Sequence, residues 1–416
     1  MKRLLKVTAM TSMLTLLRMV MGFVIAKFIA VYTGPSGLAM LGQIQSMVVS
    51  LNGLINAPAG SGVVRYTSEN YRDGYQACAP WWRASIQWIL IVSAIVIPIG
   101  FVFSEYLSNQ LFQDPSFNWL IVITVCLLPL AALGTICNSV INGQQQYRRY
   151  VSLGMVSVVV SSCLMVLLII TANIEGALFA TAIQSGLIGL IMLLLNFKQP
   201  WFKFQYWWGK TDLITRKSIG GYMLMAITSA LTVPVSLILV RNMVIDQLGW
   251  EAAGYWQAVW RISDVYITVI TMALSTYYLP KLSSLVGVEC ILKEVRKTVS
   301  VIIPIVIVLS LIVYFLRDFA IAILFTEEFS AARDLFAIQL TANVIKITGW
   351  LYAYPMLSRG ATKWYISSEI FFSISIVLLS YLFITGFGLK GIVFASLLNN
   401  SIYLFFVMSN IRTFSR

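Results

Sequence analysis

Two opposite charges lie one helical turn apart in the segment "WQAVWRISDVY", residues 256–266, whose flanks are almost wholly apolar. Arg261 and Asp264 are three residues apart, so a helix places them on one face. Three kinds of chemistry are open to them. They can form an ion pair that only holds helices together, the guanidinium can bind an anion, or the carboxylate can take up a proton.

The composition indicates what must position these charges. The chain of 416 residues is 59% apolar and 11% charged, with a mean hydropathy of +0.84. Apolar runs of about 20 residues alternate with short polar breaks, which is typical of membrane-spanning helices. The sequence therefore predicts an all-α polytopic membrane protein with about twelve transmembrane helices, at 7–31, 36–62, 82–103, 117–142, 150–172, 176–197, 217–243, 252–279, 299–322, 332–357, 364–386 and 391–411.

The longest polar break, 196–217, predicts two halves of six helices each. We expect a lobe at 1–197, a linker at 198–216 lying at the cytoplasmic membrane interface, and a second lobe at 217–416. Segments 26–43 and 240–257 share a basic residue, an apolar run, a Gly turn and a closing Gln, so that Lys27 matches Arg241. This likeness favours a parallel repeat, because each half has an even number of spans.

Basic residues set the orientation. Of the 29 Lys and Arg residues, twenty fall in the loops on the side of the N-terminus and three on the other side. The positive-inside rule then places both termini in the cytoplasm. The first 23 residues resemble a signal peptide, but Arg18 interrupts them and no A-x-A site follows, so we expect a retained first span. Segment 281–297 is predicted to be one amphipathic surface helix, with an irregular loop as the alternative.

The net charge and the residues that are absent argue against several functions. The net charge of +13 is better explained by cytoplasmic loops than by nucleic-acid binding. The chain contains no His and no Cys-x-x-Cys pair, so neither a metal site nor a cofactor is expected. "WWGKTD" lacks the first Gly of a phosphate loop, since Phe204 stands five positions before Gly209.

Eight charges remain once the loops are subtracted. On a lenient scale each costs about 2.5–3.5 kcal/mol near the bilayer centre, or roughly 20 kcal/mol together, so they should border water or protein rather than lipid. Lys27 and Arg65 can instead lie at span ends and reach the interface. Glu369 can pair with Lys346 across helices or exchange a proton. The eight residues are the basic Arg18, Lys27, Arg65, Arg241, Arg261 and Lys346 and the acidic Asp264 and Glu369.

The excess of positive charge favours an anionic passenger. Six cations against two acids attract anions, and Arg and Lys suit phosphate in particular. A multidrug or small-molecule exporter would present acids to cationic drugs, so it is the alternative that the charges favour less. A polysaccharide polymerase or ligase would need a catalytic constellation and usually a large outer loop, and we therefore expect no enzyme.

Several short stretches resemble a known family, the Wzx-type flippases of lipid-linked oligosaccharides within the multidrug/oligosaccharidyl-lipid/polysaccharide exporter superfamily. They are "GPSGL" (34–38), "WQAVWRISDVY" (256–266), "YYLPKLS" (277–283), "LRDFAI" (316–321), "RDLFAIQL" (333–340) and "VIKITGW" (344–350). They occur in both halves and most densely in the second.

The resemblance implies two six-helix lobes around a cationic central cavity that works by alternating access. It implies transport of an undecaprenyl-pyrophosphate-linked O-antigen unit to the periplasmic leaflet of the bacterial inner membrane, with a polysaccharide polymerase and a chain-length regulator as possible partners. The implied site residues are the eight charges above. One departure is that Gln43 and Gln45 stand where some relatives carry a basic residue.

Overall fold

The computed structural model describes residues 2–415, with the side chains of that range other than 2–9, 221, 222, 225, 275 and 276. Within this part of the chain there are helices and turns but no β-strand. Three very long helices, Lys2–Asn56, Tyr147–Asn196 and Leu213–Ala273, each contain a kink with non-helical backbone angles. Divided at these kinks, the described residues form twelve long helices, which confirms the predicted fold class.

The long helices are numbered here in chain order. They are α1 (2–33), α2 (35–56), α3 (Tyr75–Val102), α4 (Asn118–Gly143), α5 (147–171), α6 (174–196), α7 (213–248), α8 (250–273), α9 (Val288–Phe315), α10 (Phe336–Ser358), α11 (Thr362–Phe387) and α12 (Leu389–Phe414). Short helices connect them at Ser61–Asn70, Ser104–Phe112, Phe204–Trp207, Leu279–Ser284 and Arg317–Leu324.

Two of the three kinks are made by glycines in the matching segments of the predicted repeat. Gly34, with φ 63°, separates α1 from α2, and Gly249, with φ 88°, separates α7 from α8. Residues with a Cβ rarely adopt such positive φ values, so Gly allows the chain to turn without a long loop. The turn places Lys27 and Arg241 shortly before their respective kinks.

The apolar helices are those of a multi-pass membrane protein. Eight of the described continuous helices, with kinked ones counted once, are long and apolar enough to cross a membrane. α10 is not among them, although its length of 23 residues is sufficient. Its sequence is less apolar because it carries Gln339, Asn343 and Lys346 among its apolar residues.

Contacts divide the chain into two compact units. The first comprises residues 1–32 and 40–235, and the second comprises 33–39 and 236–416. In the first unit α4 and α6 approach closely, since a Cβ added at Gly134 would lie 2.5 Å from the Cα of Gly189. In the second unit α10 packs on α12 and α9, and α11 packs on α12. α10 thereby brings its polar side chains into the interior of the second unit.

The predicted linker docks on the first unit. Trp201 is fully buried and packs edge-on against Trp82, which also stacks on Trp207 at a centroid distance of 4.8 Å. Phe204 and Trp208 are largely exposed, as an interfacial segment requires. Trp201 differs from these two residues because the buried Trp82 offers it an aromatic contact.

The expected single helix at 281–297 is interrupted. The short helix Leu279–Ser284 ends before Leu285, and Gly287 has φ 91°. A new helix starts at Val288 and continues without a break to Phe315. The apolar face predicted from the helical spacing is present in part, since Leu292 and Val295 are buried. The prediction of one separate surface helix is wrong because Gly287 breaks it and its second part continues as α9.

Candidate functional site: charges within the helices of the second unit

Arg241 is the most deeply buried of the predicted site residues. Its side chain on α7 is 2% exposed, and its Nη2 donates a hydrogen bond of 2.8 Å to Oε1 of Gln257 on α8. The guanidinium carbon lies 5.9 Å from the ring centroid of Trp256. The turn at Gly249 brings these residues, fifteen or sixteen positions apart, opposite each other. Arg241 is thus fixed by a polar and an aromatic neighbour.

Arg261 and Asp264 lie on α8, about one and two turns beyond Gln257. Both are partly buried, and the two charges interact electrostatically, as their spacing predicts. Asp264 also interacts electrostatically with the ammonium group of Lys346. The pair is therefore not isolated, because a second cation from another helix shares the carboxylate.

Lys346 on α10 links two acids. Its ammonium interacts electrostatically with Asp264 on α8 and with Glu369 on α11. Its Nζ also lies 4.9 Å from the ring centroid of Trp350, one turn along the same helix. Cation–π contacts of this kind partly replace lost hydration. The structure therefore brings Arg261, Asp264, Lys346 and Glu369 together. Of the two roles considered for Glu369, the structure shows the interaction with Lys346.

The cations of the first unit lie in different surroundings. Arg18 is exposed and Lys27 is partly buried on α1. Arg65 lies beyond the end of α2, in the short helix Ser61–Asn70, and its Nε is 2.8 Å from Oε1 of Glu69. This position agrees with the alternative that Arg65 lies at the end of a span, and there it forms an exposed i,i+4 ion pair.

A polar network beside the charge cluster was not foreseen. Asn343 Nδ2 donates a hydrogen bond of 3.0 Å to the Tyr266 hydroxyl, and Gln339 Nε2 donates one of 3.0 Å to Asn343 Oδ1. All three side chains are buried. Gln339, Asn343 and Lys346 are spaced four and then three residues apart on α10. This polar stripe in an apolar segment is the sequence signal that could have revealed the network.

Two named proteins are similar to this chain in sequence over most of its length. No family model matches the chain. It is 28% identical over 369 residues to the lipid III flippases of Escherichia coli (strain K12) and Shigella flexneri, and the alignment covers 88% of this chain and 88% of each relative. The chain resembles the lipid III flippases. This confirms the resemblance inferred from the short stretches.

Solved structures show the same fold. An inward-facing multidrug resistance MATE family transporter of the MOP superfamily has a TM-score of 0.77 at 15% identity, with 94% of both chains covered. The lipid II flippase MurJ in an inward closed conformation has a TM-score of 0.70 at 16% identity, with 97% of this chain and 89% of MurJ covered. At these identities the likeness shows that the chain has the fold of these transporters.

Proposed function

We propose that the protein is a flippase that moves an undecaprenyl-pyrophosphate-linked oligosaccharide, an O-antigen repeat unit, from the cytoplasmic to the periplasmic leaflet. The observation that carries this proposal is the resemblance to lipid III flippases over 88% of both chains. The charges within the helices supply a physical reason. A pyrophosphate is anionic, and five basic residues against two acids stand in the predicted spans once Arg65 is set aside.

The cations of both units would bind this substrate. Arg241 and Arg261 on α7 and α8, Lys346 on α10, and Arg18 and Lys27 on α1 would contact the pyrophosphate and sugars. Arg65 joins this set by resemblance alone, since Glu69 binds it in the structure. These cations would form a substrate site in a carrier that opens alternately to the two sides of the membrane.

The two acids would regulate the cations. Asp264 and Glu369 both interact with Lys346, so protonating either acid would increase the net positive charge available to the substrate. Such a change could couple an ion gradient to the resetting of an empty carrier. In the resting state the acids compete with the pyrophosphate for the same cations, which helps the substrate to leave.

The proposal also sets the location and partners of the protein. The protein would lie in the bacterial inner membrane with both termini in the cytoplasm, and the distribution of loop charges supports this orientation. A polysaccharide polymerase and a chain-length regulator would act on the delivered lipid. The chain itself would be a transporter and not an enzyme, as the names of its lipid III relatives indicate.

Complementation tests the proposal. A strain that lacks its own flippase receives the wild type, Arg18→Ala, Arg241→Gln or Arg261→Ala. Surface polysaccharide should recover with the wild type and fall at least tenfold in the variants, at equal protein level in the membrane. Arg412→Ala is the matched control, because Arg412 forms an exposed ion pair of 3.4 Å with Glu289 at the end of α12. Wild-type polysaccharide in all three test variants would overturn the proposed site.

The same strains distinguish a flippase from a multidrug exporter. If the protein exported cationic drugs, its expression would lower drug accumulation in cells without restoring polysaccharide. That result would replace the flippase proposal. The likeness to multidrug transporters gives this alternative no particular weight, because it shows the fold alone.

A further inference from the structure

A hydrogen bond joins α8 to α10 close to two of the charges within the helices. Tyr266 lies two residues after Asp264 on α8, and Asn343 lies on α10, one turn before Lys346. Asn343 Nδ2 donates to the Tyr266 hydroxyl at 3.0 Å. Tyr266 is 7% exposed and Asn343 is 2% exposed. The bond is therefore shielded from water, and each of its two residues lies within one helical turn of a charge.

The Asn343 side chain is held from both ends. Its Oδ1 accepts a hydrogen bond of 3.0 Å from Gln339 Nε2 one turn earlier on α10, while its Nδ2 reaches across to Tyr266 on α8. A buried amide that loses such a partner loses free energy, because no water replaces the bond. Apolar side chains would fill these positions without that cost. The polar pair therefore favours the arrangement of α10 against α8 that keeps Asn343 opposite Tyr266.

Lys346 depends on the position of the same helix. It follows Asn343 by one turn, on the same face of α10. Its ammonium interacts electrostatically with Asp264 on α8 and with Glu369 on α11. Moving a helix by one residue along its own screw shifts it by about 1.5 Å and turns it by about 100°. Such a movement of α10 would break the bond between the helices and turn Lys346 away from its partner on α8.

We propose that Tyr266 and Asn343 are positioning residues that hold Lys346 opposite Asp264. They act through Lys346 and not by contact with the transported substrate. A movement of α10 that breaks their bond also frees Lys346 from Asp264 and makes its charge available to an anion. The consequence for transport rests on the proposed function, whereas the effect on the charge pair does not depend on any substrate.

A double-mutant cycle on the purified full chain measures the charge pair directly. Asp264→Asn and Lys346→Met are made singly and together, and the non-additivity of their shifts in thermal midpoint reports the coupling. The cycle is repeated in Tyr266→Phe and in Asn343→Leu, each of which removes the bond between the helices. Either variant should at least halve the coupling. Asn343→Ala replaces Asn343→Leu if that variant does not fold.

Two other hydrogen bonds to α10 provide matched controls. The Tyr278 hydroxyl, just beyond α8, donates to the carbonyl of Leu351 at 3.0 Å, and Asn400 Nδ2 on α12 donates to the carbonyl of Ala342 at 3.1 Å. Tyr278→Phe and Asn400→Leu remove the same chemical groups but should leave the coupling at its wild-type value. The proposal fails if the controls reduce the coupling as much as the test variants, or if the test variants leave it unchanged.

Complementation of the flippase-deficient strain measures the consequence for transport. At equal protein level in the membrane, surface polysaccharide should fall at least threefold in Tyr266→Phe and Asn343→Leu relative to Tyr278→Phe and Asn400→Leu. Halved coupling with polysaccharide at the level of the controls would overturn the role of the two residues in transport. Failure of the wild type to restore polysaccharide would overturn the proposed function instead, and the coupling measurement would still decide whether the two residues position Lys346.

Discussion

The basic residues of the two units differ in how the protein holds them. In the first unit Arg18 is exposed, and Arg65 forms an exposed ion pair with Glu69. In the second unit Arg241 is buried against Gln257 and Trp256, and Lys346 stands between two acids and a tryptophan ring. Residues that look alike in the sequence therefore have different energetic roles.

The difference follows from the cost of burying charge. A cation removed from water must gain hydrogen bonds, opposite charges or aromatic faces, or the fold loses stability. The second unit supplies such partners on α8, α10 and α11, whereas Arg18 and Arg65 of the first unit are exposed. Substitutions should therefore reduce both stability and transport in the second unit, but mainly transport in the first.

The largest effect is expected for Arg241→Ala. It removes a buried side chain and leaves Gln257 without this donor, so the free energy of unfolding should fall by about 2–4 kcal/mol. Thermal unfolding of the purified protein measures the change. The control Arg18→Ala should alter stability by less than about 0.5 kcal/mol.

A double variant separates packing from function at this position. Arg241→Met with Gln257→Leu replaces both polar partners by apolar groups, which should restore much of the stability. Transport should remain defective because the cation is absent. Polysaccharide at wild-type level in the double variant would show that Arg241 serves only the fold.

Lys346→Met should have the next largest effect. It leaves Asp264 and Glu369 without the cation that they share, and should cost about 1–3 kcal/mol of stability. Adding Glu369→Gln removes one uncompensated acid and should recover about 1 kcal/mol. A double-mutant cycle measures this coupling. Strict additivity of the two substitutions would mean that Lys346 and Glu369 do not interact.

Arg65→Gln should have a smaller effect. Exposed i,i+4 ion pairs contribute about 0.2–1 kcal/mol, so Arg65→Gln and Glu69→Gln should each lower stability by no more than that. Polysaccharide should fall less than with Arg18→Ala. A severe transport loss in Arg65→Gln, with Glu69→Gln unaffected, would instead give Arg65 a direct role in the pathway.

The smallest expected effect is on how the stability of the fold depends on pH in acid solution. The hydrogen bond from Lys390 and its charge lower the pKa of Asp334, an exposed carboxylate outside the membrane-spanning helices. A lowered folded-state pKa stabilises the fold above the ordinary Asp pKa of about 3.9, and this contribution is lost as the pH falls through the folded-state value. The difference in thermal midpoint between wild type and Lys390→Met should be constant from about pH 5 to 7 and shrink below about pH 4. A difference that grows in acid would contradict this assignment.

Local sequence determined the helices and their breaks. Apolar runs of membrane length predicted the twelve long helices, because an apolar backbone segment in lipid must satisfy its hydrogen bonds internally. The glycines at 34 and 249 marked the matching kinks, because positive φ suits Gly. The i,i+4 spacing of Arg65 and Glu69 also permits their ion pair. We did not predict this pair, because Arg65 was considered only as a charge within or at the end of a span.

Only the tertiary structure decided which charges meet. Lys346 is 82 residues from Asp264 and 23 from Glu369 in sequence, yet it interacts with both. Gln257 binds Arg241 across the turn at Gly249. Periodicity assigns a residue to a face of its own helix but does not identify the facing helix, because that depends on how apolar and small residues pack between helices. The sequence therefore specified the buried charges, and helix packing chose their partners.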